Sequence, residues 1–362
     1  MKSVKMIVVL ALLMFAATCA DNSEKPAPAA QPATPPPPPP PPKFDAGPPL
    51  GEMTLPADNA LTPEKVELGK KLFFDTRLSK TGKMSCESCH HPDKGWADGN
   101  ALSAKFDGSM NTRHTPTLYN VGFYKQWYWD GRAATLEGQV TAAWRGQMGG
   151  DPDAVAMALN GVEAYKAEFQ KVFKQDATAA NIAKAIATFV RTIVSKDSPW
   201  DKYQAGDKSA VSDEVVKGFD VFSNSDKANC TLCHLPPLLT DTLFHNTGIG
   251  FDKPMPDLGR GKILGDAAEK KGTTDPDADK MKGAFKTPTL RSITESGPYF
   301  HDGRAKRLED AVDTMLKGGI ANPNLDEKLK ARTLKPEERT QLLAFLKSLS
   351  PEKKPFEKPK LP

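Results

Sequence analysis

The chain has 362 residues, of which 39% are apolar and 26% charged, and its formal net charge is +4. That length suits two ordinary domains, and so mild a charge argues against a nucleic-acid partner. The single N-terminal apolar stretch is too short to span a bilayer.

In chain order, the first residues read as an export signal. Lys2 and Lys5 form a basic region, Met6 to Phe15 an apolar core, and Ala16-Ala17-Thr18-Cys19 a small-residue end. Cys19 resembles a bacterial lipid-attachment site, although Thr18 is atypical before such a cysteine; simple cleavage near Ala20 is the alternative. An Ala/Pro stretch and eight prolines, Pro35 to Pro42, follow. Such a run favours extended polyproline II and makes no core, so residues 21–50 read as a stiff linker.

Thr62-Pro63 is a helix start, with Thr as N-cap and Pro at the first helical position. That helix runs through Leu68 and Leu72. Apolar spacing predicts a helical face through Val155, Leu159, Val162, Tyr165 and Phe169, and another through Ile182, Ile186, Phe189, Val190 and Ile193. A last helix carries Leu342, Leu343, Phe345, Leu346 and Leu349. Alternating strand patterns are scarce, and the Gly/Asp/Pro-rich stretches near 91–114 and 250–285 read as loops. The expected class is all-α, with long loops.

Two motifs carry chemistry: Cys86-Glu-Ser-Cys89-His90 and Cys230-Thr-Leu-Cys233-His234. In C-x-x-C-H the thiols can form thioethers with haem vinyl groups, and the His supplies a proximal iron ligand. Metal binding by paired C-x-x-C groups is the rival reading, and a His directly after each pair favours haem. Covalent haem together with export points to the periplasm or outer surface of a bacterium. Haem consumes four of the five cysteines, so no structural disulfide is expected.

A gap-free echo follows at an offset of 172 residues. Thr115-Pro116-Thr117-Leu118, Asp130-Gly131-Arg132-Ala133, Leu136, Glu137 and Val140 match Thr287-Pro288-Thr289-Leu290, Asp302-Gly303-Arg304-Ala305, Leu308, Glu309 and Val312. Upstream, Gly69-x-x-Leu72-Phe73 echoes Gly218-x-x-Val221-Phe222. The pattern predicts two cytochrome c-like haem domains related by internal duplication, at 51–205 and 206–350, with a tail at 351–362. Three residues past the matched valines, the second copy has Met315 and the first Ala143. A thioether ligates iron and raises haem potential, whereas a methyl group does not ligate. The expectation is a six-coordinate His234/Met315 haem in the second domain and an open iron, held by His90, in the first. Met255 is the reserve ligand for the second haem, and His114 the alternative sixth ligand for the first. Trp127 and Trp129 are either core aromatics or, for Trp129, an indole between the haems. The Asp130/Arg132 and Asp302/Arg304 pairs either fix turns or hold propionates.

These residues, with Phe244-His-Asn-Thr-Gly248, Asp257-Leu-Gly-Arg260 and Pro298-Tyr-Phe-His-Asp-Gly303, resemble the bacterial di-haem cytochrome c peroxidases and the related methylamine-utilisation oxidase MauG. The resemblance covers residues 54 to 350. It implies a periplasmic enzyme reducing hydrogen peroxide to water at the first haem. Electrons would come from a small cytochrome c or cupredoxin through the second haem, with Trp129 between the two. Two departures stand out. Phe106 occupies the position where typical members place a His that caps the first haem. Gln147, before Met148, takes the place of the catalytic glutamate, and an amide cannot shuttle a proton in the usual way. Met315 departs from MauG, which has a Tyr there. The alternatives are a MauG-like oxidase acting on a partner protein and a non-enzymatic di-haem electron carrier. Family members bind calcium through an Asn and backbone carbonyls. Here His114 stands at the Asn, with Ser296 and Pro298 at the carbonyls, so calcium is an open alternative rather than an expectation. Members are often homodimers.

Overall fold

A computed structural model describes residues 42–362. The export signal, Cys19 and nearly all of the proline run lie outside the described residues. Two short strands, β1 (Lys43–Asp45) and β2 (Glu52–Thr54), open the fold as an antiparallel pair with Phe44 opposite Met53. The stretch read as linker therefore ends before residue 50. Met53 is buried, and Lys196 Nζ donates to the Ala46 carbonyl at 2.8 Å, which ties this hairpin to the first core.

Helix α1 (Pro63–Phe74) starts where the sequence places it. Thr62 Oγ1 accepts from the Lys65 N–H at 3.3 Å and Pro63 stands in the first turn. Next come α2 (Leu136–Gly146), α3 (Pro152–Asn160), α4 (Glu163–Phe173) and α5 (Ala179–Arg191). The predicted single face from Val155 to Phe169 is split between α3 and α4. The chain turns at Gly161, and Val162 is the N-cap of α4, not a helical residue. Both pieces still bury their apolar positions, because the turn keeps Leu159, Tyr165 and Phe169 on the inside. With α1 and α5 they make one core, filled by Leu68, Leu72, Phe73, Ile182, Ile186 and Phe189.

The second core is smaller. Helices α6 (Pro199–Gln204), α7 (Asp213–Ser223) and α11 (Pro336–Lys347) pack Trp200, Val221, Phe222, Leu342 and Phe345 together. Trp200 falls inside the stretch expected for the first domain, yet its ring meets Phe345 edge-on at 5.0 Å. The boundary between the cores thus lies before α6. Between α7 and α11 run β3 (Phe244–Asn246), α8 (Gly259–Glu269), α9 (Asp277–Lys280), β4 (Ala284–Lys286) and α10 (Leu308–Leu316). The region 250–285 is therefore not loop throughout. Strand β3 pairs antiparallel with β4, His245 opposite Phe285. No described helix is long and apolar enough to cross a membrane.

Local geometry repeats at the 172-residue offset. Asn120 and Ser292 share a positive φ (61° and 53°), as do Tyr128 and Phe300 (65° and 69°). An isolated antiparallel bridge joins Trp127 to Ala133 and another joins Tyr299 to Ala305. The halves also exchange a hydrogen bond reciprocally. The His114 N–H donates to the His301 carbonyl at 2.7 Å, and the Lys286 N–H, at the matching position, donates to the Trp129 carbonyl at 2.8 Å. The expected tail is packed: Phe356 stacks on Phe74 at 5.5 Å and meets Trp96 edge-on at 5.0 Å.

Candidate functional site

Each C-x-x-C-H motif folds as a single 3-10 turn, Cys86–Ser88 and Cys230–Leu232, which swings both thiols and the following His to one side of the chain. His90 Nδ1 donates to the Trp96 carbonyl at 2.8 Å, and His234 Nδ1 donates to the Leu239 carbonyl at 3.0 Å. Both carbonyls are set by a residue in the left-handed region, Trp96 (φ 57°) and Leu239 (φ 54°). A bond at Nδ1 fixes the tautomer and leaves Nε2 for a metal. Burial pulls His90 down to about 4 and lowers His234 as well, so both rings are neutral and ligand-ready. Burial pushes the Cys86, Cys89 and Cys230 thiols up to about 12, 11 and 12. All four motif cysteines are free of disulfides.

A cavity of about 390 Å³ opens beside the first motif. Cys86, Cys89, His90, Trp129, Gln147 and Lys286 stand in its wall, and Ala143 lies there too. Helix α2 carries Ala143 and ends at Gln147, whose N–H donates to the Ala143 carbonyl at 2.8 Å. Gln147 Oε1 is buried with no hydrogen-bond partner. A buried acceptor of this kind signals a missing neighbour. A flat, mainly apolar group with a few polar atoms suits this wall, so the residues fit a haem. The same helix end anchors Phe106, whose N–H donates to the Gln147 carbonyl at 2.9 Å while its ring lies against Gly149.

Around the second motif the apolar surface is half bare. Leu232, Leu235 and Leu243 are 40%, 48% and 55% exposed. Helix α10 buries only Leu308, leaving Val312, Met315 and Leu316 part-exposed. An amphipathic helix with its apolar side so poorly covered fits a large apolar group lying against it. Met255, the reserve ligand, is 88% exposed, which removes it from any buried iron site.

The other candidates have defined partners. Trp129 Nε1 donates to the His114 carbonyl at 2.9 Å, and its ring centroid lies 6.4 Å from that of His301. His301 is buried, stacks on Phe285 at 3.6 Å, and leaves its Nε2 unbonded among the described residues. Trp127 Nε1 donates to the Val121 carbonyl at 3.0 Å. Asp130 and Asp302 fix turns, each accepting from the backbone N–H two residues on (3.2 and 3.3 Å) and pairing with Arg132 and Arg304. His114 Nδ1 donates to the Asn100 carbonyl at 2.8 Å, and the Ser296 carbonyl also faces the ring. An imidazole filling this space, with its N–H on a carbonyl, does not fit a calcium ion, which needs six or more oxygen ligands. The rival reading of the cysteines as a shared metal site also fails. Among the described residues the one metal-like cluster is Cys233, Asp241 and His245, and both His245 nitrogens are engaged by carboxylates, Asp326 at 2.5 Å and Asp241 at 2.7 Å.

Several residues of the site were not singled out by the sequence. Trp96 and Leu239 act through backbone carbonyls, which leave no side-chain signature. Lys286 did leave one: it is a lysine within the apolar run Ala284-Phe285-Lys286, at the position matching His114.

Two C-x-x-C-H turns, each presenting a buried neutral histidine on a mostly helical fold with two cores, define a di-haem c-type protein. The chain belongs to the di-haem cytochrome c peroxidase family. The model of that family matches residues 63–209. The chain is 39% identical over 313 residues to the methylamine utilization protein MauG of Methylorubrum extorquens, covering 85% of this chain and 84% of the relative. It is 33% identical over 311 residues to the cytochrome c551 peroxidase of Nitrosomonas europaea, covering 84% and 86%. A solved MauG-like protein associated with microbial copper homeostasis superposes with a TM-score of 0.74 at 28% identity, covering 83% of this chain and 93% of that one. As a member of this family the protein is a di-haem oxidoreductase with haem c as its cofactor.

Proposed function

We propose that the protein is an exported di-haem peroxidase that reduces hydrogen peroxide to water in the periplasm. Cys86 and Cys89 attach the first haem and His90 is its ligand. Cys230 and Cys233 attach the second, ligated by His234 and Met315. The observation that carries this reading is the first cavity, where Ala143, at the position matching Met315, lines the wall together with His90 and Gln147. A methyl group there supplies no iron ligand.

The bound haems supply the redox chemistry, in which peroxide takes up two electrons and two protons and leaves as two waters. The chain's own residues do the rest. Trp96 fixes the proximal ring through its carbonyl. Gln147 turns an amide toward the cavity and orients peroxide by hydrogen bonding, without ionising. Trp129, in the cavity wall and held by the His114 carbonyl, lies on the route between the two centres. The bare leucines around the second motif form the surface at which a small cytochrome c or cupredoxin delivers electrons. We read the recurring geometry of the two halves as the trace of a duplicated haem unit.

Low-temperature electron paramagnetic resonance (EPR) of the oxidised protein tests this. A high-spin ferric signal beside a low-spin His/Met signal is expected, followed by peroxide-dependent oxidation of a reduced cytochrome. Two low-spin signals, with no cyanide or peroxide binding, would mean an electron carrier. A second reading, a MauG-like oxidase of a partner protein, is favoured by Gln147 in place of an acid. It predicts high-valent species that are long-lived and inert to reduced cytochrome.

A further inference from the structure

Lys286 sits at the end of β4, buried at 7% exposure, in the wall of the first cavity. Its backbone N–H is bound to the Trp129 carbonyl, so the residue is fixed beside that tryptophan. Its Nζ donates to the Gln126 carbonyl at 2.8 Å and lies 4.4 Å from the centre of the Tyr124 ring. Neither neighbour carries a charge. The other cations of the wall are already paired. Arg113 binds Asp257 at 2.7 and 2.8 Å and Asp130 at 2.5 Å, and Arg132 binds Asp130 at 2.8 Å. Among the described residues that line the cavity, Lys286 is the cation with no carboxylate partner.

Burying an ammonium without a counter-charge is costly, and proteins tolerate it where a ligand brings the charge. An ammonium has three donors, and Gln126 takes one. We propose that Lys286 is the counter-ion of a carboxylate borne by the group in the first cavity, a propionate of the first haem. This rests on the haem reading of Cys86, Cys89 and His90. It makes Lys286 a positioning residue that ties the polar edge of the cofactor to the strand holding Trp129. The burial that pulls Lys286 down to about 7, opposed only weakly by Asp130, is what a bound carboxylate would reverse.

The test uses the fully haem-loaded protein and its Lys286→Met and Lys286→Arg variants. Haem content comes first: loss of covalent haem in the unmodified protein would sink the haem reading itself, separately from this proposal. With both haems attached, Lys286→Met is expected to lower the first haem's midpoint potential in spectroelectrochemistry and leave the second unchanged. It should also shift the propionate-bending band of the first haem in resonance Raman, and Lys286→Arg should restore both. If potential and band stay where they are in Lys286→Met, the lysine is a structural partner of Gln126 and the proposal falls. A free anion at Lys286 would leave the haem-carboxylate band unmoved, which equally overturns it. Should Lys286→Met fail to load haem, the unmodified protein still decides. Exchange into deuterated water shifts the propionate band if an ammonium donates to it, and an unmoved band refutes the contact.

Discussion

Asp201 and Arg291 form the best-buried ion pair of the second core, at 9% and 3% side-chain exposure, with two parallel bonds of 2.8 and 3.0 Å. Burial works against the charge on Asp201, but Arg291 and the Ser198 N–H outweigh it and hold its pKa below the ordinary value. A carboxylate lowered in this way contributes stability that is complete above its unfolded pKa of about 3.9 and is lost as pH falls through the lower folded value. Asp201→Ala strands a buried guanidinium and is expected to cost about 3–5 kcal/mol in urea unfolding. It should also flatten the dependence of stability on pH below about 4, where this carboxylate titrates. Gln147 offers a test at the other core. Restoring an ionisable group with Gln147→Glu should raise peroxide turnover by about 100-fold, within the range general acid–base catalysis supplies. It should also introduce a pH dependence that the parent lacks. Unchanged turnover would show that the amide already does all this position can do. Met315→Ala should convert the low-spin signal of the second haem to high-spin and lower its potential, because an axial thioether is lost.

Helix packing explains the two matched glycines upstream of the motifs. A Cβ on Gly69 would sit 1.9 Å from the Ala185 carbonyl oxygen, where α1 crosses α5, and a Cβ on Gly218 would sit 2.0 Å from that of Gln341, where α7 crosses α11. Backbone is the obstacle in both cases, so a helix must move. Gly218→Ala is expected to destabilise by about 1–3 kcal/mol, read as a lower urea midpoint at unchanged slope. These crossings were legible as a Gly-x-x-apolar-Phe echo, and the start of α1 at Thr62-Pro63 was legible in its capping chemistry. The break between α3 and α4 was not, because Val155 through Phe169 keep helical spacing across the turn at Gly161. Helix α8 was hidden as well. Its segment is rich in Gly and Lys, Leu258 gives it no side-chain cap, and it buries little beyond Gly259, Gly261 and Ala268. The haem-attaching residues could be read directly, because covalent attachment demands fixed spacing. The carbonyls of Trp96 and Leu239 could not, since they depend on backbone conformation alone.

Across the whole molecule the two cores are tied twice, by the reciprocal hydrogen bonds of His114 and Lys286 and by the C-terminal segment. That segment leaves the second core after α11 and runs back over the first. Phe356 fills a gap among Phe74, Trp96 and Phe189, Lys353 reaches the Asp93 carbonyl, and Lys358 pairs with Glu87 at 2.7 Å. Glu87 lies inside the first C-x-x-C-H turn, and the Trp96 carbonyl holds His90. The tail therefore braces the proximal side of the first haem from a segment that follows the second core. Half-buried Phe356 and two exposed lysines suggest a modest energy, about 1–2 kcal/mol, most of it apolar. Deleting residues 351–362 should lower the urea midpoint by a corresponding amount. It should also broaden the EPR signal of the first haem and spare that of the second, because only Trp96 and Glu87 lose their support. Equal change at both haems would mean that the tail matters through global stability. An unchanged first signal would mean that the left-handed turn at Trp96 fixes His90 unaided.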